Sequence, residues 1–112
     1  ISEWGSSDFN WTFQKELRAG APFEDYKKYW DMSPMKYIGA ARTPTLVIHN
    51  ENDLRCPIEQ GEQVFLALQR IGVDSEFVRF PDEFHGLSRT GRTDRRIARL
   101  NHIARWFNKY LK

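Results

Sequence analysis

Asp53 and His85 are the residues whose types and spacing point most directly to chemistry. They stand 32 positions apart, each in a polar stretch that follows an apolar run. A carboxylate behind an imidazole fixes the ring's tautomer and stabilises the imidazolium that forms when the ring takes a proton. Histidine suits the base role because its unperturbed pKa, ~6.5, lets it accept and return a proton near neutral pH. On spacing alone, blander readings stand beside this one. Asp53 follows Asn50 and Asn52 and also suits a turn or cap, and His85 also suits a loop histidine of another kind. His49 ends the first apolar run and reads as structural or as standing behind the pair, with a competing base as the lesser reading. His102 reads as solvated or packed. The histidines are not spaced as metal ligands, a site forced from Asp53, Asp82 and Glu83 is disfavoured, and no metal or cofactor is expected.

The elements that must position the pair follow from periodicity. Thr45-Leu46-Val47-Ile48, behind Pro44, is an unbroken β-branched and apolar run, which predicts a strand buried on both faces. Pro57 then opens a helix to about Arg70, with Val64, Phe65, Leu68 and Ile71 as its apolar stripe and Gly72 as its C-cap. Gly61 costs that helix about 1 kcal/mol relative to alanine, which points to close packing against a neighbour. Ser75–Phe80 reads as a second strand ended by Pro81. A helix from about Asp94 to Tyr110 carries a seam of Ile97, Leu100, Ala104, Phe107 and Leu111, widened by Ile103 and Trp106 and expected to lie against a sheet. The order strand, helix, strand, helix predicts an α/β fold with parallel strands and right-handed crossovers. Both polar loops then fall at the carboxyl ends of the strands, where open α/β sheets bind ligands.

Residues 1 to 42 are weakly periodic and read as a helical and loop connection, with short helices at Trp11–Leu17, Phe23–Trp30 and Met35–Ile38. Ser33 before Pro34 marks a helix start. Trp4, Trp11, Phe13, Tyr26 and Trp30 read as packing residues, with a pocket lining as the second reading. Residues 43 to 112 hold the strand-helix-strand-helix unit.

Composition narrows the class. Hydrophobic residues make up 40% and charged residues 29%, which argues against disorder. Net charge is +2, and Asp94 interrupts the run Arg89, Arg92, Arg95, Arg96, Arg99, so a helix face with local ion pairs is expected rather than a nucleic-acid partner. No segment is apolar enough to span a bilayer, and no membrane partner is expected. Cys56 is the single cysteine, which fits a reducing compartment and a cytoplasmic location.

Longer motifs carry a resemblance. His49-Asn50-Glu51-Asn52-Asp53-Leu54-Arg55-Cys56-Pro57 with Ile58-Glu59-Gln60, then Phe80-Pro81-Asp82-Glu83-Phe84-His85-Gly86-Leu87-Ser88, and the ending Trp106-Phe107-Asn108-Lys109-Tyr110-Leu111 resemble the end of the catalytic domain of the prolyl oligopeptidase family of serine peptidases, in its acylaminoacyl-peptidase-like branch. Gly5-Ser6-Ser7-Asp8 and Ser33-Pro34-Met35-Lys36-Tyr37 resemble segments between that family's nucleophile and acid. The resemblance implies the carboxyl-terminal portion of an α/β-hydrolase fold, with Asp53 as catalytic acid and His85 as catalytic histidine. Chain order agrees, since the acid precedes the histidine in that fold. Asn50 stands where the family often has glycine, a change that concerns loop shape. The implied substrate is a peptide or an N-acylated peptide. Neither a propeller domain nor a G-x-S-x-G elbow occurs in the sequence, and Ser6, Ser7 and Ser88 are not expected in one. The 112 residues alone are therefore expected to be inactive, and the partner is the remainder of the catalytic domain or another copy of the chain. Arg55 is expected to face substrate or, slightly preferred, to pair with Glu51 or Glu59. An esterase of the same fold and a non-catalytic, self-associated fragment are the alternatives.

Overall fold

The structure is a computed structural model and describes residues 20–111. The expected helix at Trp11–Leu17, the Gly5-Ser6-Ser7-Asp8 motif and the packing of Trp4, Trp11 and Phe13 lie outside the described residues.

In chain order the elements are α1 (Tyr26–Met32), a 3₁₀ helix (Pro34–Ala40), β1 (Thr45–Asn50), α2 (Ile58–Arg70), β2 (Ser75–Phe80), α3 (Leu87–Thr90) and α4 (Thr93–Tyr110). Ser33 caps the 3₁₀ helix as its sequence suggests: its hydroxyl accepts from the Met35 amide at 3.3 Å, and Pro34 opens the helix. α1 starts later than Phe23, and Phe23 itself is exposed.

β1 and β2 pair in parallel, in a register that runs from Thr45 opposite Ser75 to Asn50 opposite Phe80. The two strands therefore end level, and the loops that follow them start side by side. α2 forms the crossover between them. Phe65 of α2 stacks on Phe77 with ring centroids 5.6 Å apart, while Phe80 meets His102 of α4 edge-on at 6.3 Å. Phe77 and Phe80 are an odd number of residues apart on one strand, so they point to opposite faces. α2 thus covers one face of the sheet and α4 the other. His49 and Arg79 share the α2 face, and Leu46, Ile48 and Asn50 share the α4 face.

Leu68, Val73, Phe80, Leu87 and Trp106 form the buried apolar centre around the strands. Gly72, with φ +75°, turns the chain out of α2 as the C-cap reading anticipates. Two expectations need correction. β1 is half-buried along its whole length, because among the described residues it has a strand on one edge only. α4 is also rolled from its expected seating. Trp106 is buried and His102, Ile103 and Tyr110 are half-buried, whereas Ile97 is 55% exposed, Leu100 60%, Phe107 54% and Leu111 69%. At about 100° per residue, those exposed residues lie ~100–180° around the helix from Trp106. The apolar seam faces away from the sheet. The sheet side is fixed instead by Trp106, by the Phe80–His102 contact and by the ion pair of Arg105 with Glu76 of β2.

Candidate active site

The level ends of β1 and β2 place Asp53, three residues beyond Asn50, beside His85, five beyond Phe80. The Asp53 carboxylate is 7% exposed. Its Oδ1 accepts the backbone N–H of Arg55 at 3.1 Å and of Cys56 at 2.8 Å, so the loop closes around the side chain. Such charge-assisted bonds hold a carboxylate in place more strongly than neutral ones. His85 Nδ1 donates to Asp53 Oδ2 at 2.9 Å and lies 3.1 Å from Oδ1. That bond fixes the tautomer, leaving the lone pair on Nε2. Among the described residues Nε2 has no hydrogen-bond partner, and the His85 side chain is 42% exposed.

Backbone and side-chain bonds join the two loops. Glu51 N–H donates to Phe80 O, and Asn52 N–H donates to Glu83 O, each at 3.0 Å. Asn50 Nδ2 donates to Phe84 O at 2.8 Å. Asp82 adopts φ 62°, a left-handed conformation that aspartate tolerates, and so turns the chain after β2 back toward the acid loop. Glu83 is 5% exposed, and its Oε1 accepts the backbone N–H of Arg92 at the start of α4, at 3.1 Å. The histidine loop is thereby held between the acid loop and α4.

His49 faces the acid loop from the end of β1. Its Nε2 donates to the Cys56 carbonyl at 2.7 Å, which ties the far end of the acid loop back to β1. Gly61 makes room for it: a Cβ there would lie 2.7 Å from His49 Nδ1.

The family profile described as "Prolyl oligopeptidase family" matches residues 1–112. The chain belongs to the prolyl oligopeptidase family. It is 47% identical over 115 residues to the uncharacterized peptidase YuxL of Bacillus subtilis (strain 168), a match covering 99% of this chain and 18% of that protein. It is 43% identical over 89 residues to the acylamino-acid-releasing enzyme of Arabidopsis thaliana, covering 80% of this chain and 11% of that one. Among solved structures, the uncomplexed Pyrococcus horikoshii acylaminoacyl peptidase superposes with a TM-score of 0.89 at 30% identity, over 100% of this chain and 19% of that one. The chain thus spans less than a fifth of the length of these relatives. The chain is thus similar to acylaminoacyl-peptidase-like proteins of this family, and its described residues have a mixed α/β architecture of parallel strands and flanking helices.

In this family member His85 stands between two hollows. One of about 220 Å³ on the α4 side is lined by Asn50, Asp53, His85, Ser88 and Arg99 among others, and one of about 350 Å³ on the α2 side by His49, Cys56, Gly61 and His85 among others. Ser88 lies in the first turn of α3 rather than at a strand-to-helix elbow. Arg55 contributes its backbone N–H to Asp53. The carboxylate of Glu51, one of its two expected partners, receives Arg79 Nε at 3.1 Å, and Arg79 also reaches Glu62 at 2.9 Å. Among the described residues no group of three or more His, Cys, Asp or Glu could hold a metal ion, and no helix is long and apolar enough to cross a membrane.

The sequence reading missed two contributors. Asn50 reads from the sequence as a loop-shape position, yet its amide bridges the loops. A period-two count from Leu46 and Ile48 would have put it on the face turned toward α4. Glu83, two residues before the histidine, carried no apolar pattern to announce its burial.

Proposed function

We propose that Asp53 and His85 are the acid and base of a Ser-Asp-His triad in a serine peptidase that hydrolyses peptide or N-acyl-peptide bonds. Residues 1–112 act as the carboxyl-terminal segment of an α/β-hydrolase catalytic domain, with 1–42 as connection and 43–112 as the unit bearing both residues. The observation that carries this reading is the buried, doubly amide-bonded Asp53 receiving His85 Nδ1 while Nε2 stays open. Family membership supports the reaction class.

In this mechanism a serine outside these residues donates its hydroxyl proton to His85 Nε2 as Oγ attacks the acyl carbonyl. The Asp53 carboxylate holds the ring and stabilises the imidazolium. His85 then returns the proton to the leaving amine, and water enters by the same route to release the acyl group. Arg55 is the candidate for a substrate contact, and His49 holds the acid loop. The exposed seam of α4 and the open edge of β1 are covered by the remainder of the catalytic domain.

The test uses the full-length protein and its His85→Ala variant, assayed on an acyl-peptide and on a short acyl ester. Loss of turnover on the acyl-peptide in the variant is expected, with the parent protein favouring that substrate. Unchanged turnover in the variant would overturn the reading, and hydrolysis of the ester alone would assign the protein to the esterases.

A further inference from the structure

Asn50 is the last residue of β1, and its side chain shares the α4 face with Leu46 and Ile48. Beyond β2, consecutive residues of the histidine loop are each tied to the acid side. Glu83 O accepts the Asn52 amide at 3.0 Å, Phe84 O accepts Asn50 Nδ2 at 2.8 Å, and His85 Nδ1 donates to Asp53 at 2.9 Å. The first of these bonds is main chain to main chain. Apart from the Asp53–His85 pair, Asn50 supplies the one side-chain bond between the loops among the described residues.

Its position gives that bond leverage. Phe84 O belongs to the peptide unit that leads into the His85 Cα, so fixing this carbonyl fixes the plane from which the imidazole hangs. The other end of the Asn50 amide points the same way. Oδ1 is closed to solvent and has no hydrogen-bond partner, in the residue that lines one hollow with Asp53, His85, Ser88 and Arg99. A buried acceptor left unmet opposes folding, so the amide's favourable contribution lies in its donor.

We propose that Asn50 is a positioning residue for His85, holding the imidazole in line between the Asp53 carboxylate and the incoming nucleophile through the Phe84 carbonyl. The inference rests on the reading of His85 as the general base. Asn50 need not touch substrate. Its loss acts on the proton-transfer geometry rather than on binding, and a displacement on the order of 1 Å in such a group lowers turnover by up to ~10²-fold.

The experiment compares Asn50→Ala and the near-isosteric Asn50→Asp in the full-length protein. The second keeps the volume but sets an oxygen against Phe84 O. Both variants are expected to lower kcat by about 10- to 100-fold with KM within about twofold. Both should also broaden the low-field proton resonance of His85 Nδ1–H through faster exchange with water. His85→Ala is run alongside. Full activity in His85→Ala would overturn the triad reading itself. Loss of activity there, with kcat unchanged in both Asn50 variants, would overturn this inference alone. A rise in KM at constant kcat would also overturn it, as would unfolding of both variants at the assay temperature, since Asn50 would then serve binding or folding.

Discussion

At the scale of single residues, close approach decides more than propensity. Gly61 sits inside α2, where alanine would ordinarily add about 1 kcal/mol of helix stability. Here the added methyl would meet His49 Nδ1 at 2.7 Å and Phe77 Cε2 at 3.3 Å. Overpacking of this kind costs about 1–3 kcal/mol, so the net effect of Gly61→Ala is destabilising. Chemical denaturation should show a lower midpoint with an unchanged slope, and a raised midpoint would contradict the account. The same variant should loosen the acid loop, because His49 is held between Gly61 and the Cys56 carbonyl. Surface pairs count for less. Arg79 bonds Glu51 and Glu62, but all three side chains are more than a third exposed, and Arg79→Ala should change stability by less than about 1 kcal/mol per pair. The pairing of Asp53 with His85 is legible in the sequence because each residue lies in a local motif that follows a strand. Asn50 and Glu83 were not, because what each does depends on a partner more than 30 residues away for Asn50 and on the start of α4 for Glu83.

At the scale of elements, the strands, the crossover helix and both loops follow from the sequence, since the apolar run at Thr45–Ile48 and the signals at Pro57, Gly72 and Pro81 are local. The seating of α4 does not. Periodicity identifies an apolar stripe on a helix but not the surface it meets, and α4 carries apolar residues over more than half its circumference. The side facing the sheet was decided by Trp106, His102 and Arg105, of which only Trp106 belonged to the expected seam. α3 leaves no mark in the sequence because a helix of Leu87–Thr90 is too short to show a period. The last turn of α4 is pinned to the start of β2 by Asp74, which receives the Tyr110 hydroxyl and Lys109 Nζ. The Tyr110 hydrogen bond, then that of Lys109, hold the Asp74 carboxyl below its ordinary range. A depressed folded pKa gives a contribution that is full above the unfolded carboxylate value, ~3.9, and is lost as pH falls through the folded one. The α4 terminus should therefore fray in acid below about pH 4, read as faster amide exchange at Lys109 and Tyr110. In Asp74→Asn the same exchange should be fast already at neutral pH. An acid-insensitive terminus would contradict the assignment.

At the scale of the whole molecule, the described part of the chain does not close around a core of its own. Its radius of gyration is 15.6 Å, against about 13 Å for a compact domain of ~100 residues. Among the described residues the sheet is two strands wide with open edges, and Ile97, Leu100, Phe107 and Leu111 stand on the side of α4 turned from the sheet. Unpaired edges and apolar patches of this kind invite association. The 112 residues on their own should self-associate, with a light-scattering mass that rises above the monomer as concentration increases. Ile97→Glu with Leu100→Glu should lower that mass. A strict monomer at every concentration would show that these surfaces are not adhesive.

The carboxylate behind the imidazole is probed by Asp53→Asn in the full-length protein. The amide keeps the size and the carbonyl oxygen of the acid but cannot hold His85 in the same tautomer with the same charge. A folded variant is expected, with kcat on an acyl-peptide lowered on the order of 10⁴-fold. A folded variant that turns over within a few-fold of the parent would contradict it.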